Sequence, residues 1–265
     1  MNSNPLPSPP RRGAGRAVTW LLLAALGAVF LVSACMVAFL LLRSARESAG
    51  FEELAQQVHQ TQNAQESPYD ENGMLKRYAG LYAQNPDLYG WLTIPDTRVD
   101  YPVVNTPDDP EYYLRRDFNG EKAQSGVPFV GSGCSVENGN LLIYGHNMND
   151  GTMFRDILQY ARQDFGLEHR TLLFDSLYQQ WEFELVGAFY EEADLAPDQD
   201  AFAYYLYTDL TDPEVFDAYV SRVKEHSLYD TGVTPRHGQL LLTLSTCSYH
   251  DANGRFVVVA SQVLP

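Results

Sequence analysis

QLLLTLSTCSYHDANGRFVVV, residues 239–259, decides the reading of this chain. An apolar run ends at Thr246-Cys247, a polar turn of seven residues follows, and a second apolar run opens at Arg255. Short β-branched and leucine-rich runs separated by Asn, Asp and Gly are the pattern of paired strands. Six further runs of this kind lie upstream: GWLTI, VDYPVV, GVPFV, NLLIYG, RTLLFD and QWEFELVGAFY. With QLLLTLST and RFVVVASQVL they make eight, which predicts a mainly β domain, a barrel or a sandwich. One helix is expected among the last strands. Thr211-Asp212-Pro213-Glu214 supplies a cap, a first-turn proline and an early acidic residue, and an apolar stripe of Val215, Phe216, Tyr219, Val220 and Val223 follows. Helices are also expected from Phe51 towards Glu66 and over Gly73–Gln84, where Leu75, Tyr78, Leu81 and Tyr82 share a face.

Chemistry gathers at two strand ends. In NLLIYGHNMNDGTMF, residues 140–154, an apolar strand ends at Gly145-His146; the other end is Thr246-Cys247. A cysteine and a histidine from distant segments are the minimum for thiol catalysis: the thiolate attacks a carbonyl and the imidazole protonates the leaving amine. The guanidinium of Arg255 is always charged and suits a thiolate, an oxyanion or a bound peptide. Taken singly, Cys247 reads first as a small buried apolar residue, and His146 as a hydrogen-bonded structural histidine. His250, in the turn after Cys247, is a rival base on a less rigid element. Ser245 and Thr246 are candidate substrate contacts, or residues packing the strand end.

The N-terminal third has another character. Residues 17–42 hold no charge and, as a helix, reach about 39 Å, enough to cross a ~30 Å hydrocarbon core. Val32-Ser33-Ala34-Cys35 resembles a lipoprotein cleavage box, but apolar residues continue past Cys35. The expected order is a disordered cytoplasmic tail (1–16), a transmembrane helix (17–42), a helical and linker segment (43–72) and a catalytic domain (73–265) outside. The tail's arginines favour a cytoplasmic N-terminus. Five of the 18 basic residues precede Glu47, leaving 13 against 34 acidic ones and a net charge of −21 from there on. Such a domain repels phosphate backbones, which excludes nucleic acid as a partner. Cys134 and Cys247 are the cysteines after the span. One disulfide between them is open on sequence, although a domain this large needs none. No C-x-x-C or H-E-x-x-H spacing occurs, so no metal site is expected.

Several of these segments carry a resemblance. Thr243-Leu244-Ser245-Thr246-Cys247 matches the T-L-x-T-C nucleophile signature of the sortases, and Arg255 matches the arginine that opens the next strand. Tyr144-Gly145-His146-Asn147-Met148 with Asp150-Gly151-Thr152-Met153-Phe154 resembles the histidine segment of class B sortases. Gly90–Ile94, Asp100–Val104 and Glu111-Tyr112-Tyr113-Leu114 also resemble that class. The similarity runs over about residues 75–265 in the family's order. It implies an eight-stranded β-barrel with N-terminal helices and a long helix before the nucleophile strand. It also implies a two-step transpeptidation at the outer face of a Gram-positive membrane. Cys247 would cleave a C-terminal sorting motif of surface proteins through a thioacyl-enzyme, with His146 and Arg255 assisting. The amine of a cell-wall precursor, or a pilin lysine, would resolve it, and no cofactor is implied. Many class B members carry an aspartate shortly after the strand matching Gly126–Val130. Phe129-Val130-Gly131-Ser132 stands here instead, leaving open which group orients His146. A hydrolytic thiol peptidase of papain type is disfavoured, because those enzymes carry the cysteine at a helix start. A non-catalytic binding barrel is disfavoured by the presence of all three polar residues.

Overall fold

The structure is a computed structural model and describes residues 14–61, 67–192, 202–248 and 254–264. Residues 1–13 of the expected tail, and His250, lie outside that set. The chain divides into two compact units, Met1–Arg46 and Glu47–Pro265.

Helix α1 spans Ala14–Thr61. In the first unit, the apolar side chains from Val18 to Leu42 stand exposed. The helix is long and apolar enough to cross a bilayer, with an 18-residue window of mean hydropathy 2.6. In the second unit, the same helix turns amphipathic. Phe51, Leu54 and Val58 enter the core at 6%, 7% and 1% exposure, and Phe51 sets its ring edge-on to Tyr101 at 5.5 Å. Burying such side chains contributes about 1.5–3 kcal/mol apiece, enough to dock this part of the helix. Helix α2, Lys76–Gln84, starts three residues later than the sequence suggests. Leu75 is extended there, bridging Tyr69 and donating its amide to Leu177.

All eight apolar runs are strands: β1 (Leu88–Thr93), β2 (Asp100–Val104), β3 (Phe129–Val130), β4 (Asn140–Tyr144), β5 (Thr171–Ser176), β6 (Gln180–Glu192), β7 (Leu241–Cys247) and β8 (Gly254–Gln262). They close into a barrel in the order β1-β2-β3-β4-β7-β8-β6-β5, so every strand has a neighbour on both sides. A short helix α3, Gln163–Glu168, precedes β5. Helix α4, Pro213–His226, is the long helix before the nucleophile strand. Asp212 caps it, accepting from the amides of Glu214 and Val215 at 2.8 and 3.2 Å. Phe216, Tyr219, Val220 and Val223 are buried, while Val215 is 38% exposed and leaves the expected stripe. At that position the helix has already turned towards solvent.

Strand alternation sorts β7 into two faces. Leu242, Leu244 and Thr246 fill the barrel; Thr243, Ser245 and Cys247 face out, under α4 and the 3-10 turn Tyr204–Leu206. Their hydroxyls are satisfied there: Tyr219 Oη meets Thr243 Oγ1 at 2.8 Å, and Tyr204 Oη meets Ser245 Oγ at 2.7 Å. A row of hydrogen-bonded polar residues thus climbs β7 towards the cysteine.

Candidate active site

Strand β7 lies between β4, parallel to it, and β8, antiparallel to it. On one side, the ladder ends with Tyr144 paired to Ser245, and His146 follows two residues beyond it, as Cys247 follows Ser245. On the other side, Cys247 pairs directly with Arg255. In-register neighbours point to the same face of a sheet. The ladder itself sets only sulfur and guanidinium side by side; the imidazole, two residues past the end of β4 and about a hundred residues from Cys247 in the chain, joins them by lining the same cleft. All three line one cleft of about 430 Å³. Arg255 Nη1 stands 3.5 Å from Cys247 Sγ and 3.4 Å from the Gly254 carbonyl.

The site is braced from beneath. Gly145 donates its amide to the Ser245 carbonyl at 3.1 Å, Thr246 Oγ1 donates to the Gly145 carbonyl at 2.8 Å, and Asn147 Nδ2 donates to the Cys247 carbonyl at 3.0 Å. These bonds lock the residues flanking His146 to those flanking Cys247. Gly145 has to be glycine: a Cβ there would stand 2.6 Å from the Phe154 ring.

His146 Nε2 lies 2.8 Å from the backbone carbonyl of Leu114, in the 3-10 turn Tyr112–Arg115. A carbonyl can only accept, so Nε2 carries a proton and Nδ1 is the free, basic nitrogen of the neutral ring. No acidic side chain bonds the imidazole among the described residues; a main-chain oxygen orients it. Burial holds the His146 pKa below its ordinary value. The Leu114 bond opposes this, while the charges of Arg115 and Arg255 add to the lowering.

Ser245 and Thr246 also line the cleft, but both are buried, at 1% and 2% exposure, with their hydroxyls engaged by Tyr204 and Gly145. Cys134 is buried and its thiol is pushed up to about 11, chiefly by burial, whereas Cys247 is partly exposed; both are free, so the disulfide left open by the sequence does not form. We expect iodoacetamide at mildly alkaline pH to alkylate Cys247 and to spare Cys134 until the chain is unfolded, as read by peptide mapping. Equal labelling of both in the folded chain would contradict this burial.

Sequence reasoning missed three contributors: the Leu114 carbonyl, Asn147 and Tyr204. Asn147 was within sight as the neighbour of His146. Tyr204 gave no signal, because only the closed barrel brings the 3-10 turn over β7.

Comparison with known proteins follows the same lines. A family model described as the sortase domain matches residues 92–263. The chain is 34% identical over 182 residues to sortase B of Listeria monocytogenes, covering 67% of this chain and 70% of that protein. Among solved structures, the Staphylococcus aureus sortase B–substrate complex superposes with a TM-score of 0.71 at 25% identity, over 84% of this chain and 98% of that one. Sortase B from Bacillus anthracis in complex with AAEK1 gives a TM-score of 0.70 at 26% identity, over 84% and 99%.

Proposed function

The chain belongs to the sortase family, class B, a family of cysteine transpeptidases, and from that premise we propose that Cys247, His146 and Arg255 are its catalytic residues. The observation that supports this reading is a single cleft lined by all three residues, with Cys247 and Arg255 paired across neighbouring strands. Cys247 Sγ gives its proton to the free nitrogen of His146 and attacks the carbonyl carbon of a sorting-motif peptide. Arg255, at 3.5 Å from the sulfur, stabilises the thiolate and then the oxyanion. Collapse of the tetrahedral adduct breaks the C–N bond. His146 protonates the departing amine, and a thioester to Cys247 remains. An acceptor amine then attacks the thioester, gives up a proton to His146 and releases the thiolate. Ser245 and Thr246 shape the cleft floor beneath the peptide.

The substrates are secreted proteins carrying a C-terminal sorting motif, and the acceptor is the amine of a cell-wall precursor or a pilin lysine. The apolar helix supports a membrane anchor over residues 17–42. Its flanking arginines favour a tail, residues 1–16, in the cytoplasm and a catalytic domain, residues 73–265, outside, joined through the 43–72 segment.

Incubation of the full-length chain in detergent micelles with a panel of sorting-motif peptides, with and without an added amine, tests this reading. Cleavage that yields the amine adduct supports it. Cleavage whose products ignore every amine would instead identify a hydrolytic thiol peptidase, and no cleavage of any peptide a non-catalytic barrel.

The pH dependence has a definite sign. Since His146 accepts the thiol proton, its neutral form is the active one, and activity falls as the ring becomes protonated. A lowered His146 pKa moves that loss to more acidic pH. The acid limb of kcat/KM is expected below 6.5, the ordinary histidine value, and a limb at or above it would contradict the assignment.

A further inference from the structure

Glu47 opens the second compact unit, far along the sequence from any candidate catalytic residue. Its carboxylate accepts the backbone amide of Gln124, at 3.1 Å to each oxygen, and that of Ser125 at 3.0 Å. Charge-assisted bonds of this kind are about twice as strong as neutral ones. The two amides lie on the returning arm of a loop whose outgoing arm is the 3-10 turn bearing Leu114. Three bonds lace the arms together. Ala123 N donates to Arg115 O at 3.1 Å, Arg115 Nη1 to Gln124 O at 2.9 Å, and Val127 N to Tyr113 O at 3.1 Å. Where the arms meet, Gly126 adopts φ +60° and packs so closely that a Cβ would stand 2.6 Å from the Leu114 oxygen. That same oxygen receives His146 Nε2 at 2.8 Å. The Leu114 carbonyl is therefore held between Gly126 on one side and the imidazole on the other.

We propose that Glu47 is a positioning residue for His146: it pins the 124–126 backbone, which fixes the Leu114 carbonyl, which holds the imidazole as its Nε2–H tautomer. The inference rests on the reading of His146 as the proton carrier. An acidic group does orient this histidine, but at one remove, through main chain instead of by direct contact. The geometry gives a reason for two sequence features that a barrel alone does not require. Gly126 is the residue whose lack of a side chain lets the loop reach the carbonyl. Glu47 is the carboxylate whose two oxygens receive both loop amides.

Imidazole ¹⁵N resonances of the full-length chain in detergent micelles test the relay, in Glu47→Ala, Glu47→Gln and His59→Gln. His59 serves as control because it ties the same helix to the barrel elsewhere, through Asp100 at 2.8 Å. In Glu47→Ala the His146 resonances are expected to move from the Nε2–H tautomer towards a mixture. Loss of the Leu114 bond also removes a contact that favours the protonated ring. With Arg115, Arg255 and Cys247 unchanged around it, the acid limb of kcat/KM then moves to lower pH. We expect kcat to fall about tenfold with KM little changed, less than the hundredfold of a full ångström's misplacement. Glu47→Gln, which keeps one acceptor oxygen, should lie between the two. His59→Gln should leave the His146 resonances in place. His146 resonances unmoved in Glu47→Ala, or moved equally in His59→Gln, would overturn the proposal. Resonances that move while turnover stays unchanged would uphold the relay and instead remove His146 from the chemistry.

Discussion

Cys247→Ala will abolish thioacyl formation and lower turnover by at least about 10⁴-fold, the scale on which nucleophile deletions act in covalent catalysis. Catalysis through any other group would have to start without a nucleophile at the point where three strands converge. The fold should survive the change. Cys247 is partly exposed at the strand end and its sulfur supports no packed layer, so the cost in stability is expected under about 1 kcal/mol. Turnover at the parental rate in Cys247→Ala, with unfolding midpoints matched, would move the nucleophile elsewhere.

Arg255→Lys is the second large effect, and it separates geometry from charge. The guanidinium reaches Cys247 Sγ and the Gly254 carbonyl from the same Nη1, and it is planar, with further donors to offer a developing oxyanion. An ammonium keeps the charge but replaces the planar fork with a point. Loss of a preorganised oxyanion donor costs about 10²–10³ in kcat, or about 2.7–4 kcal/mol, and Arg255→Lys is expected in that range. Steady-state turnover of sorting-motif peptides measures it. Near-native turnover would mean that charge alone suffices and that the fork plays no part.

The eight strands were legible because they follow a period that the chain writes out, whereas their closure into a barrel, not a sandwich, came from the resemblance. NLLIYG and QLLLTLST each end in a polar turn, RFVVVASQVL opens after one, and the ladder β4-β7-β8 is built from the three. Cys247 and Arg255 were legible for the same reason, as the end of one run and the start of the next. Their seven-residue separation closes into a direct cross-strand pair. His146 required the resemblance, since nothing in a linear pattern states that β4 lies parallel to β7. What could not be read is main chain. The group that orients His146 is a carbonyl, which every residue possesses and no residue type announces, so the absence of an aspartate after Val130 gave no hint of Leu114. The buried row of Tyr204–Ser245 and Tyr219–Thr243 bonds was hidden likewise, because each partner comes from an element that closure of the barrel brings across. Boundaries failed where tertiary contacts overrode local pattern. Leu75 extends to bond Leu177 when its own neighbourhood favours helix, and Val215 turns outward although its stripe looks continuous.

The most direct test is an acid-quenched intact-mass measurement of the full-length chain during turnover of a sorting-motif peptide, followed by mapping of the modified residue. A mass gain equal to the N-terminal fragment of the peptide, carried on Cys247 and discharged by an added amine, is the expected result. Cleavage with no adduct on the chain, or an adduct on Cys134 in place of Cys247, would contradict the assignment of the centre formed by β4, β7 and β8.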